Sequence, residues 1–229
     1  MAFTFIRSND FQDSPSDVTI AVTLTGVTAG NLIVVFASHQ GVSSTTITVS
    51  DGTSSLVTDT INDGAPGPHG MFAYLLSANG GTVTYTATYA AAEAFRKIQA
   101  WEFSHTAAVT FDTSNATAFA TSASLTTGAV TTASTDELVL AGAHVGGGKD
   151  FTAMQINGVN ADGSLNTAGS GSAVWYRILT STFGAGTATA ALSGGGEAWV
   201  GNLIAFKGAT GPAGGAFTQT ILRSRLREW

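Results

Sequence analysis

A turn followed by a buried strand is predicted at Thr28-Ala29-Gly30-Asn31-Leu32-Ile33-Val34-Val35, and the same pattern recurs at Ser134-Thr135-Asp136-Glu137-Leu138-Val139-Leu140-Ala141. A second pair of similar stretches follows at nearly the same offset, with Phe72-Ala73-Tyr74-Leu75-Leu76 matched by Val174-Trp175-Tyr176-Arg177-Ile178. Segments that recur in one order indicate an internal duplication, in which each unit depends on its neighbour to complete a buried core. The sequence therefore predicts two related halves.

The halves are predicted to span about residues 17–106 and 118–207 of one all-β domain that covers residues 1–207. Large apolar residues alternate with small ones from Val18 to Leu24, so one face of this strand belongs to the core. About four strands in each half, with edge strands in addition, favour a jelly-roll-like two-sheet sandwich over a seven-strand immunoglobulin domain. The pattern fits either one sandwich built from both halves or two smaller ones.

The third repeated stretch is Ala90-Ala91-Ala92-Glu93-Ala94-Phe95, and its echo is Gly194-Gly195-Gly196-Glu197-Ala198-Trp199. Each of the three glycines would cost about 1 kcal/mol relative to alanine inside a helix, so both stretches, the first extended to Lys97, are predicted as loops that enter a strand. Beyond them, Phe103 aligns with Phe206 only if the offset shrinks by one residue. A slip of this kind predicts a β-bulge in the last strand of the halves.

Composition excludes several classes of function. Charged residues make up 10% of the chain, against about 25% in an average soluble domain, and the formal net charge is −6 with no basic stripe, so we expect no nucleic-acid partner. The absence of cysteine rules out disulfides, thiolate metal ligands and thiol nucleophiles. The first residues do not resemble a secretory signal and no apolar run is long enough for a membrane span. We therefore expect synthesis in the cytoplasm without a signal peptide, and no membrane partner.

The order of turns and strand cores resembles that of a known group of proteins. Ala29-Gly30-Asn31-Leu32-Ile33-Val34-Val35, then Ala73-Tyr74 with Gly80-Gly81-Thr82-Val83-Thr84, then a closing Leu203-Ile204-Ala205-Phe206-Lys207 look like uncharacterised jelly-roll domains in bacteriophage virion proteins and some bacterial surface proteins. The likeness covers roughly residues 17–207, and its motifs are structural. It implies an accessory protein of a virion or a cell surface and supplies no catalytic residues.

The residues after Lys207 differ in composition from the sandwich. Residues 208–215 place glycine at every third position and resemble the short collagen-like segments of phage fibre proteins, but two triplets are too few for a triple helix and predict a flexible linker. Residues 216–229 combine apolar side chains with arginines, so this arm has the opposite charge to its own domain. Because arginine and tryptophan often anchor interfaces, the arm is predicted to dock on a partner. Its contact residues would be Phe217, Ile221, Leu222, Arg223, Arg225, Leu226, Arg227 and Trp229.

An alternative for the arm is that it folds back as an edge strand of its own or a neighbouring sandwich. Phe217 and Ile221 would then lie in the core, and the arginines would pair with the acidic surface of the domain.

Two irregular stretches, Asp59–Gly70 and its counterpart Asn160–Asn166, are candidate ligand loops. Aspartate and asparagine side chains can bind a cation or a sugar hydroxyl, although the same residue types dominate turns for backbone reasons. Trp101 and Trp199 could stack on a sugar ring, with burial in the core as the favoured alternative. The possible ligand residues in the loops are Asp59, Asn62, Asp63, His69, Asn160 and Asp162.

No catalytic or metal-binding pattern stands out. The four histidines are not spaced as metal ligands, and His39 and His144, which end equivalent strands, are interpreted as neighbouring surface residues. The chain has no HExxH or Gly-x-Ser-x-Gly motif, and its glutamates do not single out a catalytic pair. The sequence therefore predicts no catalytic residues, no metal and no cofactor.

These observations favour a non-enzymatic bacteriophage virion protein at the virion surface, either a capsid decoration subunit or a head-fibre component. Its partners would be other virion proteins of the capsid or tail and copies of itself, as a homotrimer. The alternative is an adhesin of the tail tip or fibre that binds host polysaccharide through the two loops. A glycan-degrading hydrolase is a further alternative with less support.

Overall fold

A computed structural model describes residues 2–41, 46–63, 67–132 and 134–209, and in this part of the chain every regular element except one short turn is a β-strand. The exception is a 3-10 turn at Gly146–Gly148. The strands are β1 (Thr4–Asp13), β2 (Asp17–Val27), β3 (Leu32–Gly41), β4 (Ile47–Ser50), β5 (Val57–Thr58), β6 (Asn62–Asp63), β7 (Gly67–Leu75), β8 (Gly81–Ser104), β9 (Val109–Ser122), β10 (Ser124–Thr126), β11 (Glu137–Val145), β12 (Phe151–Ile156), β13 (Val159–Asn160), β14 (Gly163–Asn166), β15 (Ser172–Leu179), β16 (Ala188–Leu192) and β17 (Glu197–Gly208).

The first half of the chain forms a two-sheet sandwich from β1 to β8. Its larger sheet has the order β1-β8-β3-β7-β5, with β6 also paired to β7, and every pair is antiparallel. The smaller sheet places β2 and β4 on either side of the first part of β8. Ile20, Val22 and Leu24 of β2 lie in the core between these sheets, as the alternating pattern predicts.

The second half repeats this arrangement from β9 to β17. Its larger sheet has the order β14-β15-β11-β17-β9, and its smaller sheet has the order β10-β16-β12-β13. The prediction of an all-β sandwich fold built from two related halves is confirmed, and each half is a sandwich with a core of its own. Edge strand β1 and the first residues of β9 lie outside the predicted ranges 17–106 and 118–207.

A third core joins the two sandwiches through their larger sheets. Along β3, Ile33, Val35 and Ala37 belong to the first sandwich. The alternate residues Leu32, Val34 and Phe36 belong to the core shared with the second sandwich. Both faces of β3 are therefore buried, which explains why the strand reads as a continuous apolar run rather than an alternating one.

Close packing in the third core depends on a glycine. A Cβ at Gly142 in β11 would lie 2.6 Å from Cδ2 of Phe36 and 2.8 Å from Cζ of Phe72. The rings of Phe36 and Phe72, whose centroids are 5.0 Å apart, occupy that space instead. Protein interiors are packed at the density of organic crystals. The larger sheet of the second sandwich can therefore approach that of the first only because Gly142 has no side chain.

The loop predicted over Ala90–Lys97 is wrong, because this stretch is the middle of the long strand β8. Here β8 leaves the smaller sheet and enters the larger one, with Glu93 paired to Asp17 of β2 and Ala94 paired to Gln40 of β3. Its pairing partners change while the strand continues. In the second half the chain does turn at the three glycines, between β16 and β17.

The predicted bulge is present in β8. Ser38 pairs with Lys97 and Gln40 pairs with Ala94, so three steps along β8 face two steps along β3. The equivalent pairs of β11 and β17 show no such shift. The extra residue therefore belongs to the first half alone, and it accounts for the change of offset before Phe103.

The described residues include no helix that is long and apolar enough to cross a membrane.

Candidate ligand cleft between the sandwiches

A cleft of about 290 Å³ opens where the bulge of β8 meets the second sandwich. We call it the interface cleft. On the first sandwich it is bounded by the ends of β1 and β3 and by the bulge, and on the second by the end of β11 and two glycine-containing turns. Its lining side chains include Asp13, Gln40, Phe95, Arg96, Lys97 and His144.

Lys97 lies in the floor of the interface cleft, 1% exposed, as a cation without a hydrogen-bond acceptor. Asp10 Oδ2 lies 3.9 Å from Lys97 Nζ, which is too long for a hydrogen bond. Asp10 Oδ2 instead accepts from the hydroxyl of Thr167 at 2.6 Å. Burial lowers the pKa of Lys97 to about 8, although Asp10 and Asp150 act in the opposite direction.

His144 is the second buried group of the floor and is held by two serines. Its Nδ1 lies 3.1 Å from the hydroxyl of Ser38, which in turn lies 3.3 Å from the hydroxyl of Ser172. His144 Nε2 is buried and has no hydrogen-bond partner. Complete burial, together with the nearby His39 and Lys97, lowers the pKa of His144 to about 3, so its ring is neutral at physiological pH.

This serine–histidine contact does not have the geometry of a hydrolase. In the Ser-His-Asp triad a carboxylate holds the second nitrogen of the histidine, whereas Nε2 of His144 has no hydrogen-bond partner. Ser38 is fully buried, so a substrate carbonyl has no access to its hydroxyl. A histidine whose pKa is near 3 is also a weak base at neutral pH. The pair is better suited to orienting the imidazole than to activating a nucleophile.

Arg96 forms the wall next to the floor and holds the connection between β1 and β2. Its guanidinium donates to the backbone oxygens of Thr19 and Pro15, the latter at 2.9 Å, and contacts Asp13 Oδ2 at 3.2 Å. Its Nε remains without a hydrogen-bond partner. Arginine presents donors in a rigid fork, so these contacts fix the position of the cleft wall.

Phe95 stands at the mouth of the interface cleft in a strained backbone conformation. It lies within the bulge with a φ of 50°, an uncommon value for any residue except glycine, and its side chain is 56% exposed. A bulky residue held in this region costs about 1–3 kcal/mol and persists where the surroundings impose it. Bulges are frequent next to binding sites because they redirect side chains.

The charged groups of the cleft have no charged counterparts in the second half. Ser38 pairs with Lys97 in the first half, and the equivalent pair in the second half is His144 with Val200. By the same register, Arg96 corresponds to Trp199, a core residue of the second sandwich. The interface cleft therefore occurs once, although the sandwich that carries it is duplicated.

Relief of strain at Phe95 is the first testable consequence. We expect Phe95→Gly to be more stable than Phe95→Ala by about 1 kcal/mol, because both remove the ring and only glycine adopts a positive φ without penalty. Urea denaturation of the two variants measures the difference. Equal midpoints would show that the backbone at this position is not strained.

The predicted ligand loops lie apart from each other, and Asp59, His69, Asn160 and Asp162 do not line the interface cleft. Ser114 of β9 donates to Asp59 at 2.8 Å, which places the first loop beside the outer strand of the second sandwich. The second loop contacts β8, because the amide of Gln99 donates to the backbone oxygen of Leu165 at 3.1 Å. The first loop lies on the β5 side of the larger sheet and the second loop contacts β8. Because β3 and β7 lie between β8 and β5 in that sheet, the structure does not bring the two loops together.

The described residues of these loops have structural contacts. Asp162 accepts a hydrogen bond from the backbone N–H of Ile178 at 2.7 Å, and Asn160 accepts one from the amide of Gln155 at 3.2 Å. His69 is buried in β7. Asn62 and Asp63 belong to β6, and their side chains lie outside the described part of the structure.

The interpretation of His39 and His144 as surface residues is wrong. His39 faces the first sandwich, where its ring centroid lies 5.1 Å from that of Tyr89, whereas His144 faces the interface between the sandwiches, where Ser38 contacts it. Both are buried, and His39 stacks on His69 with ring centroids 4.6 Å apart and also lies 3.5 Å from Glu93. Their predicted proximity is correct, since His39 contributes to the pKa shift of His144. Within the described ranges, no group of three histidine, aspartate or glutamate side chains is arranged to hold a metal ion.

Trp101 and Trp199 are buried, which confirms the interpretation of these residues as core. The docking residues predicted between Phe217 and Trp229 lie outside the described residues. Sequence reasoning missed Phe95 and Lys97, although the change of offset after Glu93 was a signal that the strand contains an extra residue.

Compared with models of protein families and with curated proteins, the chain matches no family model and shows no significant match to a curated protein.

Proposed function

We propose that the chain is a non-enzymatic structural protein of a bacteriophage virion, a capsid decoration or head-fibre subunit that docks through its C-terminal arm. The double sandwich is a rigid body, because three cores hold its four sheets together. A rigid body with a short linker and an arm of opposite charge suits a subunit that binds a shell in many copies.

The observation that supports docking most directly is how the last described residues before the linker are held. The backbone N–H groups of Gly208 and Ala209 donate to the oxygens of Asp136 at 3.2 Å and Ala108 at 2.6 Å. Beside them, His105 contacts Asp136 at 2.9 Å and makes a tilted ring contact with Phe3, which precedes β1. The last described residues, Gly208 and Ala209, are thus fixed between the starts of β1 and β9.

Open strand edges also favour assembly. Among the described residues, β1 pairs only with β8, and β9 pairs only with β17, so each presents an edge without a strand partner. Exposed aromatic side chains lie further along both edges, Phe11 in β1 and Phe119 in β9. Long edges of this kind are templates for pairing with another chain. At these edges an arm from a neighbouring copy, or a segment of a shell protein, can pair as an additional strand.

Deletion of residues 216–229 is expected to reduce binding to virions at least tenfold, because the apolar and arginine contacts of the arm would be lost. Co-sedimentation of the full chain and of a chain ending at residue 215 with virions lacking the protein measures this. Replacing Arg223, Arg225 and Arg227 by lysine is the matched control, since it keeps the charge and is expected to lose less.

Equal co-sedimentation of the shortened and full chains would contradict docking through the arm. Immunogold labelling of intact virions tests the location in the same preparation. Label over the shell supports decoration, whereas label confined to the tail tip would overturn the proposal in favour of an adhesin.

A further inference from the structure

Lys97 is a buried ammonium that the fold does not require. Its equivalent in the second sandwich is Val200, which is fully buried, so an apolar side chain suffices for packing at this place. Lys97 Nζ is buried and has no hydrogen-bond partner among the described residues. A buried charge without a hydrogen bond costs stability, so its presence calls for a chemical explanation.

Asp10 of β1 is placed within reach of Lys97. It lies opposite Gln99 in the register of β1 and β8, two residues along β8 from Lys97. Residues in such diagonal positions share a face of the sheet and are within reach of long side chains. Asp10 Oδ2 is 3.9 Å from Lys97 Nζ, too far for a hydrogen bond, and rotation of the flexible lysine stem is enough to bring the nitrogen to the carboxyl carbon.

We propose that Lys97 and Asp10 join in an intramolecular amide bond that ties the edge strand β1 to β8. The nitrogen of Lys97 attacks the carboxyl carbon of Asp10, a C–N bond forms, and one carboxyl oxygen leaves as water. The ammonium begins with three protons, of which two leave with that oxygen and one stays on the amide nitrogen. Nothing is oxidised or reduced, and no co-reactant is needed. The bond is independent of the proposed docking through the arm.

The surroundings of Lys97 favour the neutral amine that this attack needs. Burial lowers the pKa of Lys97 to about 8, although Asp10 and Asp150 act in the opposite direction, so more of the amine is neutral at physiological pH than in an exposed lysine. The neutral amine is the nucleophile. Asp150 provides a second carboxylate near Lys97 that can relay a proton to the leaving oxygen of Asp10. The product replaces a buried ammonium and a carboxylate by one uncharged amide, which removes the cost of burying the charge.

Thr167 of the second sandwich activates the carboxyl group. Its hydroxyl donates to Asp10 Oδ2 at 2.6 Å. A donor fixed on this oxygen stabilises the negative charge that develops there during the attack, and it remains bonded to the amide oxygen in the product. The other oxygen of Asp10 is the one that leaves, and because this side chain is 20% exposed the released water has access to solvent.

Folding supplies the driving force for the condensation. A free amine and a free carboxylate do not condense appreciably in water, but groups held side by side react as if each were present at about 10⁵–10⁸ M. Lys97 and Asp10 belong to the first sandwich and Thr167 to the second. The three groups therefore meet only in the folded chain, and we expect the bond to form after the two sandwiches have packed together.

Intact-mass spectrometry of the full chain, after incubation near the pKa of Lys97, tests the proposal. We expect a mass lower than that of the sequence by one water molecule, and a tryptic map in which Lys97 is joined to Asp10 and no longer cleaved. Asp10→Asn is expected to form the same amide with loss of ammonia instead of water, and Lys97→Met to keep its full mass. Lys149→Met is the matched control, because it removes a lysine that contacts Gly194 in the second sandwich and is expected still to lose water.

The tryptic map of the unaltered chain locates the bond by itself, so the test stays decisive if Lys97→Met folds poorly. Three results would overturn the proposal. They are an unaltered chain with the full mass of its sequence, a loss of water that persists in Lys97→Met, and a map in which Lys97 is joined to a residue other than Asp10.

Discussion

Phe36→Ala is expected to reduce the free energy of unfolding by about 3–5 kcal/mol, the usual cost of removing a fully buried aromatic ring. Phe36 is completely buried in the third core and packs against Phe72 and the backbone of Gly142. Loss of the ring would leave a cavity between the two larger sheets, so both sandwiches would lose a contact. Urea denaturation followed by tryptophan fluorescence measures the effect.

A double-mutant cycle with Gly142→Ala separates close packing from general destabilisation. In the unaltered chain the new methyl group would meet Phe36 at 2.6 Å, and overpacking of this kind costs about 1–3 kcal/mol. In the Phe36→Ala background the clash with Phe36 is gone, and Phe72, 2.8 Å from the new methyl group, has vacated space to move into, so we expect a coupling of about 1–3 kcal/mol. Gly184→Ala is the control, because a Cβ there meets nothing within 4 Å. Additive effects of the two core substitutions would contradict the packing of the sandwiches.

Acid is expected to destabilise the protein through His144. Burial holds the pKa of His144 at about 3 in the folded state, whereas an unfolded histidine titrates near 6.5. The stability that comes from the neutral ring is therefore complete above pH 6.5 and is lost as the pH falls from 6.5 towards 3. One proton taken up on unfolding gives a slope of about 1.4 kcal/mol per pH unit across that window.

Urea denaturation of the unaltered chain and of His144→Gln, from pH 7.5 to pH 3.5, measures this contribution. Glutamine cannot take up the proton and keeps polar atoms near Ser38. The difference in stability between the two proteins should therefore shrink as the pH falls, because all other titrating groups are shared. Parallel stability curves between pH 6.5 and pH 3.5 would contradict a buried neutral His144.

The sequence predicts the repeated strands because their periodicity and turns are local. Alternation from Val18 to Leu24 marks a strand with one buried face, and the structure places it in the smaller sheet of the first sandwich. The one-residue change of offset before Phe103 predicts the bulge, because an insertion in one copy of a repeat must be accommodated locally. The glycines at 194–196 likewise identify a turn correctly.

The third core and the course of β8 could not be predicted in the same way. Leu32 and Val34 face a sheet that lies about one hundred residues further along the chain, so only their continuous apolar run hinted at burial on both faces. Ala90–Lys97 lacks alternation because the strand changes sheets there. The histidines at the ends of β3 and β11 were assigned to the surface because nothing local reveals that His39 is covered within the first sandwich and His144 by the facing sheet.

The interface cleft escaped sequence analysis for a similar reason. Lys97 and His144 belong to different sandwiches, and they meet only because β3 of the first faces β11 of the second. No short motif records such a meeting. The bulge at Phe95 was the only local sign of the cleft in the sequence. A bulge alone does not show that Arg96 and Lys97 line a cleft with residues of the second sandwich.

Hydrogen exchange at the backbone amides of β3 and β11, measured in the unaltered chain and in Phe36→Ala, tests the joining of the two sandwiches. If the third core makes one cooperative unit, both strands open with nearly the same free energy, and Phe36→Ala lowers both by a similar amount. If only the amides of β3 exchange faster while those of β11 keep their protection, the sandwiches open independently. The interface that forms the cleft would then not be the stable contact described here.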